Sequence, residues 1–417
     1  MRALVKGGLA GLLVALAAGI LAGCGGSSGP PTLSWYIFPE PSGSFAHAAQ
    51  VCSQASGGKY KIALDTLPTD ADGQRQELVR RLAAKDSSID IIGMDVTYTP
   101  EFAEAGWLRP WTGPNRLAAS KGILPGPLAT ATWKGTIYGA PDNSNTQLLW
   151  YRKDLVPNPP KTWAEMIQDA IKLDKQGKPH YIEVQGKQYE GLTVWFNTLV
   201  ASGGGSILKG PTTVSVGPTA QKAAEIMHDL AISPAADPSL SNSDEGSARL
   251  AFESGSAAFE LNYPFVYPSI QADNPKLAKQ MGYTYYPGVS PGKSAKVTIG
   301  GSNLGVSAYS KYPDYDFQAI KCLTDRANQK VDAVKGGLPP TIGSLYADPA
   351  LTKPYPFKAF IAKQLADAGI RPQTPAYADV TIAIQKALSP PASIDPKSVL
   401  STLNSQLKAA LSSGALI

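Results

Sequence analysis

Apolar positions in the first hundred residues come in short runs separated by helix-period segments. Leu33–Phe38, Tyr60–Leu64 and Ile89–Met94 are rich in β-branched, aromatic and aliphatic side chains and read as strands. The third is nearly all apolar, as a central parallel strand should be, and stops at Asp95. Between them, Phe45–Gln54 and Gly73–Ala84 carry the helical period, the latter with Leu78, Val79 and Leu82 inward. Thr99-Pro100-Glu101 then opens a helix that runs to Ala105. Strand and helix in alternation predict a parallel, doubly wound sheet, in which ligands sit beyond the carboxyl ends of strands. Glu40 and Asp95 each follow a strand and are candidates on that ground.

A different punctuation appears from residue 133. Trp133–Gly139 predicts a return strand, Asp142–Thr146 is a polar interruption, and Gln147–Tyr151 reads as a second, buried strand. Pro157–Pro160 stops it, and Thr162 with Glu165 three residues on forms a helix start. This order is what a chain shows when it leaves one α/β lobe and begins another. In the second lobe, Tyr181–Val184 and Tyr189–Leu192 flank a polar turn, and Val194–Ser202 predicts a helix carrying Trp195. Ser243–Phe252 predicts a helix with acidic residues in its first turn, and Ser256–Asn262 a strand ending at Tyr263-Pro264-Phe265. Val297–Val306, extended with a glycine bend, predicts the crossing back. Asp316–Thr324 is a helix carrying Cys322, Gly336–Pro340 a turn, and Arg371–Pro375 a loop between two late helices. The expected architecture is α/β, with two lobes joined by a hinge and a ligand cleft between them. Lobe 1 is expected at 33–141 plus 304–355 and lobe 2 at 142–303 plus 356–417.

Composition narrows the class. The chain has 417 residues, 43% hydrophobic and 17% charged, with a formal net charge of +5. That is too small a surplus, with no basic stripe, for a nucleic-acid partner. His47, His180 and His228 lack metal-site spacing, and neither a G-x-S-x-G elbow nor a phosphate loop is present. No metal, cofactor or catalytic residue is expected. One enzymatic alternative stays open: Asp95 and Glu245 could face one another across a cleft as a glycosidase pair.

Arg2 and Lys6 precede the apolar run Leu9–Leu21, which is too short for a membrane span and ends in Leu21-Ala22-Gly23-Cys24. That tetrapeptide resembles the bacterial lipobox. The resemblance implies a signal peptide over 1–23, acylation at Cys24 and a Gly/Ser/Pro tether over 24–32, hence a lipid-anchored, extracytoplasmic protein. With Cys24 so used, Cys52 and Cys322 remain on two helices far apart in sequence. Outside the cytoplasm they are expected to pair, with two separate buried thiols as the alternative.

Several stretches carry a wider likeness. LLWYRKDLVPNPPKTWAEM and GSARLAFESGSAAFELNYPF resemble hinge-exit and strand-aromatic segments of maltose-binding proteins. FAEAGWLRP, LPGPLATATW, GLTVWFNTLVASGG, KVTIGGSNLGV, GGLPP and RPQTP are similar to stretches of actinobacterial trehalose-binding lipoproteins, in the same order. The resemblance implies the periplasmic-binding-protein type II fold, and a monomer that captures a disaccharide, most plainly trehalose, for the permease subunits of an ABC importer. It also carries residues over. Asp95 and Glu245 match carboxylates that hold sugar hydroxyls, Gln74 (in a loop before the second helix) and Asn145 match amides, and Arg371 matches a second-lobe cation. Gly337 and Leu338 match a backbone contact, and Tyr263 stands where an aromatic, often Trp, stacks on a sugar face. Glu40 aligns less closely, and Trp195 is equally suited to the core and to the pocket wall. A maltose-type α-glucoside is the alternative ligand.

Overall fold

The computed structural model describes residues 29–413; the signal segment and Cys24 lie outside them. The first strands form as the pattern predicts: β1 (Thr32–Ile37), β2 (Lys61–Thr66) and β3 (Ile91–Asp95), separated by helices α1 (Ser44–Ala55) and α2 (Ala71–Ala83). β2 and β3 both pair parallel with β1. Buried Leu33, Trp35 and Ile37 on β1 pack with Phe45, Ala48 and Cys52 of α1, which fixes that helix on one sheet face.

The polar run Asp142–Thr146 is not a loop. Ala140–Asn145 is a strand, β4, whose Asp142, Asn143 and Ser144 are buried. The chain changes sheet only at Thr146-Gln147, since β5 (Leu148–Arg152) belongs to a second sheet with β6 (Tyr181–Glu183), β7 (Ala257–Asn262) and β8 (Met281–Thr284). The polar residues are tolerated in strand because β9 (Gly300–Val306) hydrogen-bonds along β4 and completes the first sheet, in the order β2-β1-β3-β9-β4. β9 runs antiparallel to β3 and to β4. The second sheet has the order β8-β5-β7-β6. The expected return strand at 133–139 is instead a short hairpin of Thr132–Trp133 and Thr136–Ile137.

Some helices of the second body start where side chains cap them. α3 (Trp163–Asp174) begins after Thr162, whose hydroxyl accepts from Glu165 N at 3.2 Å. α4 spans Glu190–Ser202, four residues more at its start than the apolar period alone indicates, and nearly every residue of it is buried. α5 (Glu245–Ser254) opens with a capping box between Asp244 and Ser247. α6 (Pro313–Leu323) and α7 (Arg326–Lys335) return to the first body, where the Cys52–Cys322 disulfide ties α6 to α1 across a sequence separation of 270. α8 (Tyr377–Leu388) then packs against α4.

Candidate functional site

Two strand-to-loop exits and one loop from the distal part of the chain converge between the two sheets. Asp95 is the last residue of β3, and Arg371 lies in the loop before α8. The Arg371 Nη2 donates to Asp95 at 3.2 Å (Oδ1) and 3.4 Å (Oδ2), joining the end of a first-sheet strand to the second body. Its Nη1 donates to Glu190 Oε1 at 2.5 Å. Glu190 also accepts from Tyr377 Oη at 2.5 Å and from Thr381 Oγ1 at 2.7 Å. Arg371 is only 4% exposed, so two carboxylates balance a buried cation.

Glu245 is the first residue of α5, and its Oε2 accepts from Tyr189 Oη at 2.7 Å. Tyr263 follows β7 directly and lies within electrostatic range of Glu245, Arg371, Asp95 and Glu190. A Cβ on Gly300 would stand 3.4 Å from Asn145 Cβ and 3.9 Å from Tyr263 Oη, so the hinge amide and the aromatic flank the same glycine. Asn145 Oδ1 and Arg371 Nε are buried without a hydrogen-bond partner. Buried polar atoms of this kind are ordinarily satisfied, and here they sit among the candidate ligand contacts.

Burial dominates the electrostatics. It raises the Glu245 carboxyl, against the pull of the Tyr189 hydrogen bond. It also raises Glu190, with Arg371 pulling the other way and Asp95 adding to the rise. Tyr263 is pushed up by burial and by the charge of Glu245. For Arg371 burial works against the charged form, but Asp95, Tyr377 and Glu190 outweigh it and hold the guanidinium as a cation. One cation among Asp95, Glu190 and Glu245 leaves an excess of acceptors, suited to a ligand rich in hydroxyl donors and unfavourable to an anion.

Asp95, Arg371, Tyr263, Glu245 and Asn145 are thus brought together. Gly337 adjoins them from the first body: at φ 68°, a Cβ there would lie 2.8 Å from Pro264 O and 2.9 Å from Phe265 Cα, so only glycine allows this approach beside Tyr263. Leu338 turns its side chain into the first core, 7% exposed. Trp195, Gln74 and Glu40 are held by neighbours of their own. Trp195 is fully buried in the second core and stacks on Trp163 with ring centroids 5.6 Å apart, because α4 is packed on nearly all sides. Gln74 is not in a loop but in the first turn of α2, where its amide donates to Thr69 O at 3.4 Å. Glu40 caps α1, accepting from Ser44 N at 2.9 Å and Ser42 N at 2.8 Å. Glu190 escapes a reading of the sequence because Tyr189–Leu192 looks like the flank of a turn. The available signal was an acid at the start of a helix too apolar to be exposed.

Two hollows of about 140 and 230 Å³, lined by Trp111, Arg116 and Ile137 and by Leu199, Lys222 and Val289, lie away from this cluster. The convergent polar chemistry, not these hollows, locates the site. Among the described residues no group of three or more His, Cys, Asp or Glu is placed to hold a metal ion.

Bacterial extracellular solute-binding proteins match residues 58–330. A probable ABC transporter-binding protein of Deinococcus radiodurans is 29% identical over 341 residues, 78% of this chain and 79% of that protein. The diacetylchitobiose-binding protein DasA of Streptomyces coelicolor is 24% identical, with 80% of each chain covered. Among solved structures, maltose-bound MalE3 of T. maritima superposes with a TM-score of 0.84 at 25% identity, covering 91% of this chain and 99% of that one. The GacH receptor of Streptomyces glaucescens gives a TM-score of 0.79 at 22% identity, covering 92% and 99%. The architecture is the periplasmic-binding-protein type II fold.

Proposed function

Since the chain belongs to the bacterial extracellular solute-binding proteins, we propose that it captures a neutral disaccharide, trehalose in the first place, and delivers it to the membrane permease of an ABC importer. The observation that carries this reading is the convergence of Asp95, Arg371, Glu245, Tyr263 and Asn145 between the two sheets, with unpartnered polar atoms on Asn145 and Arg371. A sugar offers hydroxyls to carboxylates and amides and a flat face to an aromatic ring. The excess of carboxylates favours a neutral sugar over a phosphorylated one. Relatives named for maltose and for diacetylchitobiose make a disaccharide a reasonable size for the ligand.

In this reading the two lobes meet at Thr146-Gln147 and Ile299-Gly300, close to the division drawn from the sequence, and Asn145 belongs to both hinge and site. Cys24 carries the lipid that keeps the protein at the outer face of the membrane as a monomer. Gln74 and Glu40, at the starts of α2 and α1, remain contacts for the far edge of the ligand.

Calorimetry against trehalose, maltose, sucrose, diacetylchitobiose and mannitol decides the matter. Saturable binding of trehalose in the micromolar range, worth about −8 kcal/mol, is expected. Binding of maltose without trehalose would overturn the choice of sugar. Silence toward every neutral sugar, or release of glucose from trehalose, would overturn the binding reading itself.

A further inference from the structure

The bond between the two bodies, from Arg371 to Asp95, is backed by the first turn of α4. Glu190 is held from behind by Tyr377 and Thr381, both on α8, and uses the same carboxylate to grip one edge of the Arg371 guanidinium. The other edge of that guanidinium faces Asp95 on the opposite body. Thr193 and Thr381 hydrogen-bond at 2.7 Å, and Gln385 donates to Thr381 at 3.1 Å, so α4 and α8 form a fixed backing. Asp72, in the first turn of α2, faces the backbone N–H of Glu190 and the amide of Gln385. Asp95 and Asp72 of the first body therefore reach the second body at Arg371 and at the first turn of α4.

We infer that Glu190 is a positioning residue that orients Arg371 toward Asp95, so that the first turn of α4 latches the two lobes together. A buried guanidinium must be balanced by carboxylates. With Glu190 ionised and fixed, Arg371 Nη1 is committed and only Nη2 engages Asp95; Thr97 N and Oγ1 also donate to Asp95 Oδ1, so acceptor capacity for a ligand hydroxyl remains on Oδ2. With Glu190 neutralised, Arg371 loses the partner that fixes its orientation, and its bond to Asp95 across the two bodies is no longer held in place. Closure and affinity then depend on a residue that itself needs no contact with the ligand.

This inference rests on the binding reading above for its affinity arm but not for its conformational arm. In ligand-free protein, small-angle scattering should give a larger radius of gyration for Glu190→Gln and Asp72→Asn than for the wild type. Equal radii would overturn the latch, whether or not any sugar binds. With trehalose, Glu190→Gln should weaken binding at least tenfold, and Thr381→Val, which removes one hydrogen bond from Glu190 but keeps its charge, should weaken it less. The cycle with Arg371→Gln separates positioning from general damage. If Glu190 acts through Arg371, Glu190→Gln has little further effect on affinity in the Arg371→Gln background. An equal loss in both backgrounds would show a merely structural role. Should the wild type bind no sugar, the functional reading falls while the scattering still decides the latch.

Discussion

At the scale of single residues, Asp95 is the position where chain order and chemistry agree most simply. A near-apolar strand ends in an acid, and that acid meets Arg371 at 3.2 Å across the junction of the two bodies. Replacing Asp95 or Glu245 with alanine should weaken sugar binding by about 1.5–3 kcal/mol each, the range for hydrogen bonds to a charged group. That is roughly a ten- to hundredfold rise in the dissociation constant by calorimetry. Unchanged affinity in both variants would place the ligand elsewhere. Asp95 was legible because strand ends in α/β sheets are ligand positions. Arg371 was legible only through family resemblance, since a loop arginine has no distinguishing pattern of its own. Trp195 and Glu190 show what the one-dimensional pattern omits. Both lie on α4, whose almost complete enclosure makes its tryptophan core and its first-turn acid a buried partner of the cation.

At the scale of elements, periodicity located the strands and helices well where one face is apolar. It failed where a strand is polar. Asp142, Asn143 and Ser144 lie in β4, and β9 satisfies its backbone, a pairing between segments more than 150 residues apart that local sequence does not encode. The turn Gly336-Gly337 was legible as a turn, but its packing against Pro264 and Phe265 was not. Gly337→Ala should cost about 1–2 kcal/mol for the left-handed backbone alone. The new methyl would also press on the backbone beside Tyr263. Ligand affinity should fall along with thermal stability, and a variant that binds sugar with wild-type affinity would contradict the close approach. The disulfide was anticipated from compartment and cysteine count, and it fastens α6 to α1. Replacing Cys52 and Cys322 together with alanine should lower unfolding stability by about 2–5 kcal/mol in a denaturant titration. A shift within error would show that the packing of α1 against α6 suffices.

At the scale of the whole molecule, buried carboxyls tie the stability of the fold to pH. The second sheet holds Glu260 on β7 beside Glu183 on β6, and each has an oxygen without a partner. Burial pushes Glu260 up to about 8 and Glu183 up to about 9, from an ordinary 4.5, with Asp237 and Glu260 adding to the rise at Glu183. A raised carboxyl contributes stability that is fully present below its unfolded value and is lost as pH rises through its folded value. Stability from Glu260 should therefore decline between about pH 4.5 and pH 8 and level off above. Glu260→Gln should flatten that part of the profile of melting temperature against pH. A variant profile parallel to the wild type would show that Glu260 ionises normally in the fold.

The proposed function requires a cleft that receives a neutral disaccharide between the lobes, with Asp95 on one wall and Arg371 and Glu245 on the other. A calorimetric titration of the wild-type protein and of Asp95→Ala with trehalose tests it most directly. One-to-one binding in the micromolar range, weakened at least tenfold in the variant, is the predicted result. No heat of binding in the wild type, or the same affinity in both proteins, would contradict it.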